Sequence, residues 1–371
     1  MKVPMLDLTE QYQTLKPEIM AALEDVMSKT HFILGENVKK LERDIAEYSS
    51  AKYAIGVANG SDALNIALLG CNVGPGDEVI CPSFTFFATA GAVARAGATP
   101  VFVDIDLKTF NIDPEKIEAA ITDKTKAIIP VHLYGQMADM DRIKEIADKH
   151  NLYIIEDAAQ SIGSLYKGKK VGELGTAACY SFFPTKNLGA YGDAGMIISN
   201  DDDLAEKMSV LRVHGSKPKY FHHVLGYNSR LDEMQAAILN VKFPHLDKWS
   251  ELRKEKAANY TKLIQEQIGD SIITPFEEEH NYHVFHQYTI RVQKRNDLQK
   301  YLQDQGVSTM VYYPKPLHLQ PVFAELGYKE GDLPATEKAA EEAISLPMFP
   351  ELTIEQQQYV VEKIREFYQK N

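Results

Sequence analysis

The chain has 371 residues, of which 44% are hydrophobic and 25% are charged, and its formal net charge is -12. This composition is typical of a folded globular protein, and the length predicts about two to three domains. The acidic balance argues against a nucleic-acid-binding surface, because phosphate backbones are bound by concentrated positive charge.

Cysteine content and hydropathy indicate where the protein resides. Cys71, Cys81 and Cys179 are too few and too widely separated for a disulfide framework or a four-thiolate zinc site. No window reaches the roughly 18 uninterrupted apolar residues that a membrane helix requires. We therefore expect a cytoplasmic protein in a reducing compartment, with neither nucleic acid nor membrane as a partner.

From about residue 36, helical patterns alternate with short apolar runs, which predicts an α/β domain with a mostly parallel, seven-stranded sheet between helices. Helices are predicted at residues 37–48, from Ser61 onward, and at residues 87–96, 114–121 and 139–150. Strands are predicted at residues 53–57, 78–81, 99–103, 127–131, 153–156, 178–182 and 196–199.

The pattern changes near residues 242–250, which divides the chain into a large domain, residues 1–245, and a smaller C-terminal α/β domain, residues 246–371. Helices are predicted in the second domain at residues 254–267, 296–305 and 353–368. Residues 283–292 alternate apolar and polar side chains, so we expect an antiparallel strand with one face in solvent.

The sequence SFFPTKNLG at residues 181–189 is the most informative stretch. Its lysine, Lys186, lies among aromatic and small residues, and such surroundings lower the pKa of an amine and make it nucleophilic. Asp157 follows an apolar run and is expected at the carboxyl edge of the sheet, where α/β proteins bind ligands. Pyridoxal phosphate needs an amine for its aldehyde and a carboxylate for its ring nitrogen, so the pair predicts this cofactor. A solvated lysine and a helix-capping aspartate are the alternatives.

A second motif, NGSDAL at residues 59–64, lies where a strand is expected to lead into a helix. Gly60 and the Ser61 hydroxyl at a helix N-terminus form a seat for a phosphate group, although an ordinary N-cap explains the same residues. Ser181 is placed to add a second hydroxyl to this seat, and Gln160 to reach toward the ring hydroxyl of the cofactor. The motif thus favours the same cofactor.

Several motifs together resemble the DegT/DnrJ/EryC1/StrS family of pyridoxal-phosphate-dependent sugar aminotransferases, which belongs to fold type I of the aspartate aminotransferase superfamily. The resemblance covers essentially the whole chain. The motifs are PMLDL at residues 4–8, FILG at 32–35, GPGDEV at 74–79, PSFTF at 82–86, VHLYGQ at 131–136, EDAAQ at 156–160, residues 181–189 and GYNSRLD at 226–232.

The resemblance implies a role for each matching position. Lys186 is the Schiff-base lysine, Asp157 pairs with the pyridine nitrogen, and the other cofactor contacts are Gly60, Ser61, Asp62, Phe86, Gln160, Ser181 and Asn228. Because the family supplies the residue at the Asn228 position from the neighbouring subunit, a homodimer with a shared active site is expected. Substrate contacts are expected at Tyr313, His318 and Arg230, with packing as the alternative for Tyr313 and His318.

The implied reaction moves an amino group from L-glutamate to a keto group on a nucleotide-linked sugar, through the pyridoxamine form of the cofactor. The form of residues 132–136, HLYGQ, resembles that of enzymes acting on 3-keto rather than 4-keto sugars. Three alternatives stay open: another fold-type-I enzyme acting on amino acids, a non-catalytic regulatory protein, and a sugar dehydratase. The dehydratases of this fold carry histidine in place of Lys186, which argues against the last.

His280, His283 and His286 recur at every third residue. In a strand this spacing places neighbouring members on opposite faces, so we expect no metal site.

Overall fold

The computed structural model describes residues 1–370. Its helices are α1 Thr9–Lys29, α2 Glu36–Tyr48, α3 Gly60–Gly70, α4 Ala88–Arg95, α5 Pro114–Ile117, α6 Met140–His150, α7 Asp202–Leu211, α8 Glu233–Lys242, α9 Leu246–Gln267, α10 Arg295–Asp304, α11 Pro334–Glu342 and α12 Ile354–Lys370. Its strands are β1 Tyr53–Val57, β2 Glu78–Pro82, β3 Thr99–Val103, β4 Thr125–Ile128, β5 Tyr153–Asp157, β6 Leu165–Tyr166, β7 Lys169–Lys170, β8 Ala177–Ser181, β9 Gly195–Ser199, β10 Asn281–Tyr282, β11 Tyr288–Arg291 and β12 Ala343–Leu346.

Seven strands form the central sheet in the order β1-β9-β8-β5-β4-β2-β3. Neighbouring strands from β8 to β3 pair in parallel. Strand β9 is antiparallel to both of its neighbours, β1 and β8. The prediction of a mostly parallel, seven-stranded sheet is therefore confirmed, and the carboxyl ends of β2, β4, β5 and β8 meet at one edge.

Successive side chains of each strand enter different cores on the two faces of this sheet. On β5, Ile154 packs in a cluster with α2, α6 and α8, whereas Ile155 packs in a second cluster with α3, α4 and α7. This follows from the two-residue period of a strand. The same alternation turns the last two residues of β5, Glu156 and Asp157, toward opposite layers of helices.

The C-terminal part of the chain has its own core, in which α9, α10 and α12 pack against the antiparallel pair β11 and β12. Val3 lies in this core and pairs with Val307, so the first residues of the chain accompany the C-terminal part. Helix α9 begins at Leu246, at the predicted start of the smaller domain. The domain division itself stays a prediction.

Residues 283–292 differ from the prediction of a strand with one face in solvent. Only Tyr288–Arg291 form a strand, and every residue from His283 to Ile290 is buried. The reason is tertiary. The Val284 amide donates to the Gly135 carbonyl, and other parts of the chain cover the segment on both sides.

Further differences concern the large domain. Helices α1, α7 and α8 were not predicted, and strand β4 runs over Thr125–Ile128 rather than residues 127–131. Val131 instead forms an isolated bridge with Asp157. Within residues 1–370, no helix is long and apolar enough to cross a membrane, and no group of three or more acidic, histidine or cysteine side chains could hold a metal ion.

Candidate active site

A cavity of about 830 Å³ opens at the carboxyl edge of the central sheet. Residues that follow β1, β2, β5 and β8 line it, together with residues of the segment before β11 and of the segment around residue 313. The structure thus brings together most of the predicted site residues: Gly60, Ser61, Asp62, Phe86, Asp157, Gln160, Ser181, Lys186 and Tyr313.

Lys186 is held by a tight loop between β8 and β9. Phe182 is buried, its amide donates to Ala194, and its carbonyl accepts from the Ala190 amide. The Lys186 amide donates to the Phe183 carbonyl at 2.8 Å. A Cβ at Gly189 would lie 2.3 Å from the Pro184 carbonyl oxygen, so only glycine fits this loop. The backbone that carries the Lys186 side chain is therefore held in one position.

The side chain of Lys186 is partly exposed, because it opens on the cavity. Burial of the surrounding site lowers the pKa of its amine to about 8, and the negative charge of Asp157 acts in the opposite direction. An amine with this pKa is about one-tenth neutral at pH 7, compared with well under one part in a thousand at the ordinary value for lysine. Lys186 is therefore available as a nucleophile and as a proton carrier.

Asp157, the last residue of β5, is a buried carboxylate. Its Oδ2 accepts a hydrogen bond from the Thr89 hydroxyl at 2.7 Å, and its Oδ1 accepts one from the Ala159 amide at 3.2 Å. Burial raises the pKa of Asp157, whereas these hydrogen bonds and the positive charge of Lys186 act to lower it. No charged residue hydrogen-bonds to it within residues 1–370, so the site leaves this carboxylate for a cationic group on a ligand.

Gln160 is fixed from both sides. Its Oε1 accepts a hydrogen bond from the Tyr134 amide at 2.7 Å, and its Nε2 donates to the Tyr313 hydroxyl at 3.2 Å. The Tyr313 ring lies 6.1 Å from the ring of Phe86, which is exposed. The two rings line the same cavity as the carboxylate and the amine.

The start of α3 forms another part of the cavity lining. The Asn59 side chain caps this helix by accepting from the Asp62 amide at 2.8 Å, while Gly60 and Ser61 line the cavity. A Cβ at Gly60 would lie 2.7 Å from the Ser181 Cβ, so the end of β8 and the start of α3 can approach only because residue 60 is glycine. The N-cap and the phosphate seat predicted for this motif are therefore compatible, because Asn59 supplies the cap.

Three predicted residues lie outside this cavity. Asn228, which is exposed, and Arg230 line a second cavity of about 500 Å³, which shares Asn59 and Asp193 with the first. His318 lines neither cavity. It is buried, with Nδ1 2.7 Å from the Ser83 hydroxyl and Nε2 3.2 Å from a Glu337 carboxylate oxygen. Of the two alternatives for His318, the structure therefore favours packing.

Sequence reasoning missed several residues of the site. Thr89 carried no signal, because its contact with Asp157 joins residues 68 positions apart. His286 was noticed only as part of a histidine spacing, yet it lines the cavity and hydrogen-bonds to Asn187, the neighbour of Lys186. Only the fold brings these positions together.

The residues of the cavity fit pyridoxal phosphate. A buried carboxylate without a charged partner suits the protonated ring nitrogen, and a partly exposed amine with a lowered pKa suits the aldehyde. The N-terminus of α3, which approaches Ser181 so closely that a Cβ on Gly60 would collide with it, suits the phosphate. Together, the fold and the site define a pyridoxal-phosphate-dependent aminotransferase of fold type I.

The model of the DegT/DnrJ/EryC1/StrS aminotransferase family matches residues 13–365, and the chain belongs to this family. The chain is 72% identical over 368 residues to a protein of Geobacillus stearothermophilus named pleiotropic regulatory protein, with 99% of each chain covered. It is 48% identical over 350 residues to the UDP-2-acetamido-2-deoxy-3-oxo-D-glucuronate aminotransferase of Pseudomonas aeruginosa, with 94% of this chain and 96% of the relative covered.

Solved structures agree. The crystal structure of DesV from S. venezuelae in complex with a ketimine intermediate has a TM-score of 0.95 and 42% identity, with 99% of this chain and 98% of DesV covered. That of NtdA from Bacillus subtilis with bound pyridoxamine phosphate has a TM-score of 0.93 and 36% identity, with 99% and 85% covered. Pyridoxal phosphate, with its pyridoxamine form, is therefore the cofactor of this fold and this site.

Proposed function

We propose that the protein transfers the amino group of L-glutamate to the 3-keto group of a nucleotide-linked sugar, in two half-reactions at one site. The observation that carries this proposal is the pairing of Lys186 with buried Asp157 in a cavity large enough for a sugar substrate. The similarity to a 3-oxo sugar aminotransferase supports the 3-keto position.

Each residue of the site has a physical role. The amides at the start of α3 and the hydroxyls of Ser61 and Ser181 hold the phosphate of the cofactor, and Asp157 keeps its ring nitrogen protonated. When bound, the cofactor supplies an electron sink. Phe86 covers one face of the site, and Gln160 orients the ring hydroxyl. Lys186, with a pKa of about 8, takes a proton from the substrate carbon and returns it, because both of its protonation states are accessible near neutral pH.

We further propose that the active unit is a homodimer in which Asn228 completes the site of the partner. Support comes from exposed apolar side chains just before it, namely Tyr220, Phe221 and Leu225, which is 96% exposed. Such a patch is typical of an interface between proteins. A reducing, cytoplasmic location is supported by the three free cysteines.

Complementation tests the shared site. Lys186→Ala and Asn228→Ala dimers should each be impaired, but refolding a mixture of the two should restore activity, because half of the mixed dimers' sites carry neither substitution. If mixing restores nothing, or if light scattering finds a monomer, the shared site is wrong.

A regulatory role is the second candidate, because the protein that is 72% identical to this chain is named a regulatory protein. The two candidates differ in turnover. Each of a panel of 3-keto and 4-keto UDP- and dTDP-sugars is incubated with the cofactor-loaded protein and L-glutamate, and the products are weighed by mass spectrometry. An aminated 3-keto sugar supports the proposal. Amination of only 4-keto sugars or only keto acids would show that the proposed substrate is wrong. The absence of any aminated product would favour the regulatory role.

A further inference from the structure

His286 lies in the buried segment before β11 and lines the cavity that holds Lys186. Its Nδ1 is 3.1 Å from Oδ1 of Asn187, the residue that follows the catalytic lysine. The imidazole is therefore tied directly to the lysine loop. Neither the binding of the cofactor nor the proton transfer by Lys186 requires this histidine.

Hydrogen bonding assigns the tautomer of His286. Asn187 donates from Nδ2 to the Val284 carbonyl at 3.1 Å, which turns its Oδ1, an acceptor, toward His286. His286 Nδ1 must then carry the hydrogen and donate it. In a neutral imidazole the other nitrogen, Nε2, is consequently an acceptor with a free lone pair.

The surroundings keep this imidazole neutral and fixed. Burial, followed by the positive charges of Lys186 and Arg253, holds the pKa of His286 well below its ordinary value. Arg253 also donates to the carbonyl oxygens of Phe285 and His286, each at 3.3 Å. The ring therefore cannot shift easily, and it does not become charged near neutral pH.

Nε2 of His286 has no hydrogen-bond partner among residues 1–370, although the side chain borders the cavity. Gln160, by contrast, accepts at Oε1 from Tyr134 and donates from Nε2 to Tyr313, so it can still offer a ligand an N–H donor. A neutral, rigid acceptor favours an uncharged ligand group that donates a hydrogen bond. A hydroxyl meets this requirement, whereas a carboxylate of the amino donor would be repelled by the lone pair.

We propose that His286 is a substrate-binding residue whose Nε2 accepts a hydrogen bond from a hydroxyl group of the sugar next to the carbon that is aminated. This inference rests on the proposed function, and it names the part of the substrate that this side of the cavity recognises. It also assigns the two half-reactions different requirements, because L-glutamate has no hydroxyl group.

Two variants separate the acceptor from the packing of the ring. His286→Asn keeps a donor near the position of Nδ1, within reach of Asn187, but has no atom at the position of Nε2. His286→Gln extends far enough to place an amide oxygen there. His283→Asn is the matched control, because His283 is buried in the same segment but does not line the cavity.

The half-reactions are measured separately by cofactor absorbance in single turnovers. His286→Asn should lower kcat/KM for the sugar half-reaction about three- to tenfold, as expected for one lost hydrogen bond to an uncharged group, and leave the glutamate half-reaction within twofold. His286→Gln should recover part of the loss, and His283→Asn should affect both half-reactions alike. Calorimetric binding of the aminated sugar nucleotide to the cofactor-free protein should weaken by a similar factor in His286→Asn.

A substrate that lacks the neighbouring hydroxyl completes the cycle. Its removal should slow the native protein but not His286→Asn, because the same hydrogen bond is lost only once. Equal losses in both half-reactions would mean that His286 supports Lys186 rather than binding the sugar, and would overturn the proposal. An unchanged sugar half-reaction in His286→Asn would also overturn it. If the native protein accepts no sugar nucleotide, the proposed function fails first, and this inference fails with it.

Discussion

Glu156 and Asp157 are adjacent buried acids at the end of one strand, yet their environments differ. Glu156 accepts from His132 Nε2 at 2.8 Å and from the amides of Gly172 and Gly175 at 3.1 and 2.9 Å. His132 can donate to Glu156 because its other nitrogen accepts from the Ala138 amide. Protein donors thus use the hydrogen-bonding capacity of the Glu156 carboxylate, and this side chain lines neither cavity.

Asp157 faces the other layer and has only a hydroxyl and one amide as partners. Its side chain borders the large cavity, which Lys186 also lines. Burial of an acid therefore does not by itself identify a functional site. A carboxylate whose hydrogen bonds are complete supports the fold, whereas one with capacity left beside a cavity is available to a ligand.

The largest effect is expected for Lys186 itself. Lys186→Ala should lower kcat for both half-reactions at least a thousandfold, because the amine that carries the proton is lost. Lys207→Ala is the control, since the Lys207 ammonium donates to the Gly70 carbonyl and lies outside both cavities. Steady-state kinetics on the two variants would contradict the assignment if their activities fell equally.

Exchanging the two acids for amides tests the comparison directly. Asp157→Asn should reduce kcat about a hundredfold without lowering the free energy of unfolding of the cofactor-free protein, because it removes a buried charge without a charged partner. Glu156→Gln should instead destabilise the protein by about 2 kcal/mol, since an amide nitrogen would face the His132 donor or the two amides would lose their acceptor. Urea unfolding and kinetics on the same samples measure both effects, and a reversal of the two patterns would refute the division.

Glycine at residue 60 allows the start of α3 to approach β8 beside the cavity. Gly60→Ala should weaken cofactor affinity about tenfold, because the new Cβ meets Ser181 and pushes the start of α3 away from β8. Gly74→Ala is the matched control, since the nearest atom to its Cβ would be 4.0 Å away. Fluorescence titration of the cofactor-free proteins with pyridoxal phosphate decides between them, and equal affinities would exclude a role for this close approach.

The smallest effect concerns the titration of Lys186. In the cofactor-free protein, its acylation rate should rise with pH around pH 8, well below the range of an ordinary lysine. Because the charge of Asp157 stabilises the ammonium form, Asp157→Asn should lower this pKa further, whereas Glu156→Gln should leave it in place. Pulse labelling with mass spectrometry follows the residue, and a midpoint that does not move in Asp157→Asn would contradict the coupling.

Much of the fold was predictable because its signals are local. Strands β1 and β3 have the predicted bounds, since short apolar runs between turns are visible within a few residues. Residues 283–292 were misjudged for the opposite reason. Their alternation indicates a half-exposed strand, but His283 and His286 are covered by parts of the chain that lie far away in sequence.

The site divides in the same way. The lysine loop and the carboxylate at the end of β5 are recognisable from residue type and neighbours alone, and both line the cavity. His318 and His286 are not distinguished by the sequence. One is enclosed by Ser83 and Glu337, and the other borders the cavity, and these environments depend on how distant segments pack.

From the sequence alone came the strands of the central sheet, several of the helices between them, an amine and a carboxylate for one cofactor, and the resemblance to an aminotransferase family. Which polar groups have hydrogen-bond partners depends on the tertiary structure. Glu156 and Asp157 differ by one position, and a strand must turn them to opposite sides, but only the packing of two helix layers leaves a cavity on the side of Asp157. Desolvation and hydrogen bonding arise from atoms close in space, so the different environments of the two acids become visible only once the chain is folded.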